Sequence, residues 1–465
     1  MATFRIFIIL SVLFLIVSQS YGADLEQRLK ALEEVSKQQQ KVIEDQQRLI
    51  EGLKNDLNKL QASEPEKSAA PQAAAPASVE PPLEQSKPPA ISGIFGASSL
   101  LNPNLSVVLN TYGYWSNLSN SELGGRGIPG YYNNSNLTQS MASTRGFNLD
   151  SAEIYIFAPV DPYFNLYSTI PVTENGISIE EAYFTTTSLP EGLQIKGGKF
   201  RSGFGRLNPQ HSHVWDFADS PLVYKAFIGN EGIDEKGVQV TYLPAISFPL
   251  TLGVEALQGE NEILLGKDAQ SGPHALTLFA KASVDVDDFS TILFGPSVIT
   301  GKTLTDSIAN NTSFKGNSTL YDFEFTYKWK PSKYEGLTLQ SEYLLRDQRG
   351  SLTETDDSSV TTVSALKRRQ DGFYVQGAYQ FGRWVYALRY DKLGIFANDY
   401  KQDGISQSFG QNPWRLSTAL YVDATEFSRL RLQYNYDHSG IDPRTNHEIL
   451  LQVILGIGAH GAHTF

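Results

Sequence analysis

Histidine and arginine are the residues of this chain whose placement most directly suggests chemistry. His211 and His213 stand two apart, close to Asp216 and Asp219, and His460 and His463 flank Gly461. Neutral imidazole ligates zinc, which makes both pairs candidate metal ligands. Neither pair has the one-turn helical spacing of a zinc motif and the chain has no cysteine. Ordinary hydrogen bonding in loops and turns is therefore the expectation, with no resident metal or cofactor. Arg389, Arg415 and Arg431 recur on the polar face of three successive alternating segments. A ring of arginine selects anions in a pore, but Asp322, Glu324, Lys328, Glu342, Asp391 and Asp437 share the same face, which predicts a mixed, weakly selective lining. Between the alternating segments, "RLNPQHSHVWDFADSPLVYKAFIGNEGIDEKG" (206–237) has no strand period. With His211, Trp215, Asp216, Asp219 and Lys225 it reads either as a constriction loop inside a pore or as an external loop packing on a neighbouring subunit.

What positions these residues is a two-residue period. In "LYDFEFTYKWK" (320–330), Tyr321, Phe323, Phe325, Tyr327 and Trp329 oppose Asp322, Glu324, Thr326 and Lys328. Successive strand side chains point to opposite faces, so such a strand separates an apolar environment from a polar one. Sixteen segments read this way: 105–114, 147–158, 164–172, 177–188, 193–201, 237–243, 250–258, 275–284, 291–300, 320–330, 337–346, 372–381, 383–390, 414–423, 428–437 and 448–460. Their length of about ten residues spans a bilayer as a tilted strand. Aromatics crowd the segment ends, as in membrane-interface girdles. Connections alternate between short ones, such as Gly382 and Arg383, and long polar ones, such as 347–371. The expected fold is all-β: a transmembrane antiparallel β-barrel of about 16 strands over 93–465, preceded by an α-helical coiled coil.

Ahead of the barrel the pattern changes twice. Arg5, an apolar run over 6–17 and the small residues Ser20 and Gly22 predict a signal peptide over 1–22. Leu25, Leu29, Leu32, Ile43, Ile50, Leu53, Leu57 and Leu60 lie on one heptad seam, which predicts a periplasmic coiled coil over 23–61. Its rod would be roughly 54 Å long. A Pro/Ala-rich linker follows over 62–92. The 465-residue chain has a formal charge of −12, against nucleic acid as a partner, and no cysteine, against thiolate and disulfide chemistry.

Two stretches carry a family resemblance. "GKFRSGFGRLNPQHSHVWDF" (198–217) and "GIGAHGAHTF" (456–465) resemble outer-membrane proteins often labelled zinc-regulated TonB-type receptors. The plan of signal, coiled coil and barrel also resembles the phosphate-selective porins of the O/P type. These resemblances imply a sixteen-strand barrel in the outer membrane of a Gram-negative-type bacterium, a homotrimer through barrel and coiled coil, and contact with outer-membrane lipid. A terminal strand ending in Phe465 implies recognition by the barrel-assembly machinery. The lysine- and arginine-rich lumen of the O/P type has no match here, and no plug domain precedes the barrel. The expected function is passive diffusion of small hydrophilic solutes or ions. A zinc-linked uptake receptor and an envelope tether, whose stalk reaches the cell wall, are the alternatives. The chain has no Gly-x-Ser-x-Gly elbow, P-loop or His-Glu-x-x-His motif, so no enzyme is expected.

Overall fold

The computed structural model describes residues 103–131, 144–266, 272–303, 312–355, 360–440 and 444–458. The signal peptide, coiled coil and linker expected from the sequence lie outside these residues, as do His460, His463 and Phe465.

The strands are β1 (Asn104–Ser116), β2 (Gly146–Pro159), β3 (Phe164–Thr173), β4 (Gly176–Ile177), β5 (Glu181–Thr186) and β6 (Leu193–Arg201). They continue with β7 (Asp234–Tyr242), β8 (Leu250–Leu257), β9 (Ala275–Asp287), β10 (Ser290–Thr303), β11 (Thr312–Ser332) and β12 (Glu335–Thr355). Last come β13 (Thr361–Phe381), β14 (Trp384–Gln402), β15 (Ile405–Ser406), β16 (Trp414–Thr425), β17 (Ser428–His438) and β18 (Asn446–Gly458). The two-residue pieces β4 and β15 only extend hairpins on β3 and β14. The other sixteen pair antiparallel in sequence order, and β1 pairs with β18 from Ser106 opposite Gly458 to Ser116 opposite Glu448. The ring is closed, and antiparallel closure of neighbours requires an even number of strands. Each of the sixteen alternating segments overlaps one barrel strand.

The side-chain period sorts the faces as expected. On β11, Tyr321, Phe323 and Phe325 are exposed while Asp322, Glu324 and Thr326 are buried. Leu388, Leu416, Leu432 and Leu451 likewise face outward, and Arg389, Arg415, Arg431 and Gln452 face inward. Exposed aromatics ring the end that carries the short turns: Tyr163, Phe248, Phe289, Tyr334, Phe381, Trp384 and Phe427. Toward the other end, Phe373, Tyr390, Trp414, Tyr436 and His447 form a continuous row with ring centroids 5.3 to 6.3 Å apart. Phe373 and Phe381 bound the apolar face of β13. A tilted strand of that length rises roughly 20 Å, close to the height of a membrane-barrel apolar band.

One connection differs from its expectation. Instead of a long polar loop over 347–371, β12 runs on to Thr355 and β13 starts at Thr361, in register from Asp347 opposite Arg369 to Thr355 opposite Thr361. The alternation continues here with inward Leu352 and Leu366, which pack with Phe314 and Tyr400. Arg368 lies over the rings of Phe314 and Tyr400 at 5.6 and 5.7 Å. Buried apolar surface on the inner face makes pairing more favourable than an open loop, so the wall extends beyond the apolar band.

Candidate functional site: an inner segment bound to the barrel wall

After β6 the chain leaves the wall at Ser202 and does not return until Ile233 (202–233). Here it enters the barrel. Its small elements are a 3-10 turn, Ser212–Val214, and the helix α1, Leu222–Phe227. Phe204, Leu207, Trp215, Leu222, Val223, Tyr224, Phe227 and Ile228 are buried in one cluster with Leu257, Ile299, Leu320, Leu344, Tyr374 and Leu393 of the inner wall. Residues 206–233 of the stretch 206–237 thus lie against the inner wall. Burial of this apolar surface is what draws the segment off the wall, at about 25 cal/mol per Å² removed from water.

Polar wall residues hold it in place. Glu342 receives the first turn: its carboxylate accepts from Arg206 N at 2.8 Å, Leu207 N at 3.2 Å, Tyr224 Oη at 2.7 Å and Tyr374 Oη at 2.6 Å. The approach is close enough to need glycine. Gly205 has φ +62°, and a Cβ there would lie 2.6 Å from Glu342 Oε2. Asn208 staples the base, donating to Ser202 O at 2.8 Å and accepting from Ile233 N at 2.7 Å.

The far end of the segment reaches the opposite wall. Asp219 accepts from Arg389 at 2.7 Å, Arg415 at 2.7 Å and Gln433 at 2.7 Å, and Lys225 stands 3.4 Å away. Burial works against the Asp219 carboxylate, but the Arg415 and Arg389 guanidiniums more than reverse that, and the group is held well below the usual carboxylate range. Arg415 also donates to Ser220 O at 2.8 Å, and Leu222 N donates to Asp391 Oδ1 at 2.7 Å. Asp216 accepts from Tyr421 Oη at 2.8 Å and Gln376 Nε2 at 3.2 Å. Arg431 and Arg429 donate to Trp215 O, and Arg389 lies 4.3 Å from the Phe217 ring centroid.

The residues proposed to line a pore thus fall into different roles. Arg389, Arg415 and Arg431 do face inward on three adjacent strands, but their side chains are nearly fully buried against the segment. They are anchors for it and not a free cationic ring. Glu342 is an anchor as well. Glu324 stands 3.4 Å from Lys281, whose ammonium also donates to Gly205 O; Asp322 is buried near the same corner. Lys328 faces the interior on β11, partly exposed.

Histidine and aspartate part company. Asp216 and Asp219 bind the β13–β17 wall, whereas His211 and His213 lie against β2 and the start of β5. His211 Nε2 is 2.9 Å from Glu181 Oε2, and its Nδ1 is 3.5 Å from Glu180 and 3.6 Å from Glu153. His213 Nδ1 is 3.6 Å from the same Glu153 oxygen. Burial alone would lower the His211 pKa, but the three carboxylates around it raise it well above its ordinary value. Sequence reasoning passed over Glu153, Glu180 and Glu181. The adjacent acids in "SIEEAY" (178–183) were the available signal, since a strand buries one of two neighbours.

No family model matches the chain. Among solved structures it is similar to the outer membrane channel DcaP of Acinetobacter baumannii, with 12% identity over 77% of this chain and 97% of that one and a TM-score of 0.48. It is also similar to an anion-selective porin of Comamonas acidovorans, with 8% identity over 77% and 99% and a TM-score of 0.46. In sequence it is 38% identical over 383 residues, 78% of this chain and 80% of the relative, to an uncharacterized protein of Aquifex aeolicus (strain VF5). By that extent of identity, the chain belongs to the same family as the Aquifex aeolicus protein.

Proposed function

We propose that this protein is an outer-membrane channel of the porin type, in which the segment 202–233 narrows the bore through which small hydrophilic solutes or ions diffuse. The observation that carries this reading is the closed ring of sixteen strands, apolar outward between two aromatic rows and charged inward. Only a lipid surround makes such an outer face favourable, and only closure satisfies the backbone groups there. Sixteen strands give a bore wide enough for water, and a segment pinned to both walls reduces it. The inward arginines neutralise Asp219 and its neighbours, so strong anion selectivity is not expected from them. The protein is read as a non-enzyme, a homotrimer in the membrane, with the stalk as an added envelope contact.

Single-channel recording of the purified, refolded protein in planar bilayers tests this, with the reversal potential read under a salt gradient. Steady ohmic current with small reversal potential, in steps of three, is the expected result. Silence from a barrel that shows the heat-shifted gel mobility of a folded one would overturn the diffusion reading and favour a barrel stoppered by its own inner segment.

A further inference from the structure

Beyond the first turn of the inner segment, Glu153 of β2, Glu180 just before β5 and His211 of the segment itself converge, with His213 beside them. All are at most 15% exposed. One oxygen each from Glu153 and Glu180 and a ring nitrogen of His211 lie within 4.8 Å of one another. The separations of 3.5 and 3.6 Å from His211 Nδ1 to the two carboxylates are long for hydrogen bonds to an imidazole. They match the edge of a tetrahedron whose corners lie about 2.0–2.2 Å from a central metal, which is roughly 3.3–3.6 Å.

The neighbours orient these ligands. Glu181 Oε1 accepts from Arg201 N at 2.8 Å, which fixes the carboxylate, and Glu181 Oε2 then meets His211 Nε2. An Nε2–H bonded to that carboxylate leaves the Nδ1 lone pair aimed at Glu153 and Glu180. A carboxylate on the outer nitrogen of a metal-bound histidine is the usual supporting contact in such sites. Arg201 Nε binds Glu180 Oε1 at 2.9 Å, so the oxygen turned toward His211 is the other one, Oε2. Without a metal, a proton on Nδ1 supplies the positive charge between these groups, and a bound divalent cation would take that proton's place.

We propose that Glu153, Glu180 and His211 form a divalent transition-metal site that clamps the inner segment to the β2–β5 wall. His213 Nδ1 is 3.6 Å from the same Glu153 oxygen but stands outside the three-ligand cluster, which leaves the fourth place to a water or a solute. Mixed imidazole and carboxylate donors without thiolate suit zinc and its neighbours over calcium or magnesium. The site does not depend on the channel reading, because it requires only the fold.

The purified full chain, refolded and stripped with chelator, is titrated with zinc chloride by calorimetry, and the loaded protein is read by zinc-edge X-ray absorption. One saturable zinc per chain is expected, with nitrogen and oxygen donors near 2.0–2.2 Å and an imidazole signature. The double variant Glu153→Gln/His211→Gln is expected to lose that zinc, and Glu181→Gln to keep the stoichiometry but bind 10- to 100-fold more weakly. Should the double variant fail to show the heat-shifted mobility of a folded barrel, His211→Gln alone supplies the comparison. No saturable binding in the parent protein overturns the proposal. Zinc bound with unchanged affinity in the folded variant also overturns it, because the ion would then reside elsewhere in the chain.

Discussion

Replacing Asp219 by alanine should release the tip of the inner segment without opening the barrel. Asp219 is the only carboxylate of the segment that touches both Arg389 and Arg415 among the described residues, each at 2.7 Å. The two guanidiniums are buried, at 1 and 2% exposure. Removing one partner of a buried pair costs about 3–5 kcal/mol because the remaining charge is left uncompensated. Part of that is offset here: Asp391 stays 3.2 Å from Arg389 and 3.5 Å from Arg415, and Arg389 and Arg415 still donate to the backbone carbonyls of Asp219 and Ser220. The lower end, about 3 kcal/mol, is therefore the working figure, and it multiplies the undocked fraction of the tip roughly 100-fold. The wall strands keep their pairing, so the heat-shifted gel mobility should persist. Single-channel records should show frequent transitions to a larger open level, and trypsin should cut at Lys225 where it does not cut the parent protein. Asp219→Asn, which keeps the shape and loses the charge, should lie between the two. If both variants retain parental current, noise and trypsin resistance, the segment is not held by this contact and the reasoning fails.

Other consequences are independent of that contact. Leu388→Arg places a charge on the outer face between the aromatic rows, where Leu388 is 46% exposed; a loss of about 2–4 kcal/mol in bilayer folding titrations is expected, and no loss would mean that this face does not meet lipid. Gly205→Ala adds a Cβ 2.6 Å from Glu342 Oε2 at a φ of +62°, so segment docking should weaken by roughly 1–3 kcal/mol, read as increased trypsin cleavage; parental resistance would show that the turn tolerates a side chain. Because the Asp219 pKa is lowered, its contribution is complete above the unfolded value of about 3.9 and disappears only as pH falls through the lower folded value. Channel current should accordingly show no Asp219-dependent step between pH 7 and 4, and a step in that range that Asp219→Asn abolishes would contradict the assignment.

Local alternation was sufficient for the barrel. The reason is physical: an apolar outer face and a polar inner face impose a period of two on every strand, and that period survives in residues such as Tyr321 to Trp329 without reference to anything distant. The same logic placed Arg389, Arg415 and Arg431 on the inner face. It could not say that they would be buried, because this depends on a segment about 170 to 210 positions away folding across the interior, and a contact of that separation leaves no local period. The 347–371 connection differs for a related reason: a polar outer face beyond the apolar band looks like loop when its apolar inner partners, Leu352 and Leu366, lie on separate strands.

The amino-acid sequence by itself specified a barrel of about sixteen strands and their inward and outward faces, since both are written in neighbouring residues. Only the tertiary structure decided that 202–233 lies inside, that Asp219 meets two arginines, and that His211 faces Glu153, Glu180 and Glu181 instead of the aspartates near it in sequence. Those arrangements follow from ring closure and from burial of one apolar segment, which bring together side chains that the chain order keeps far apart.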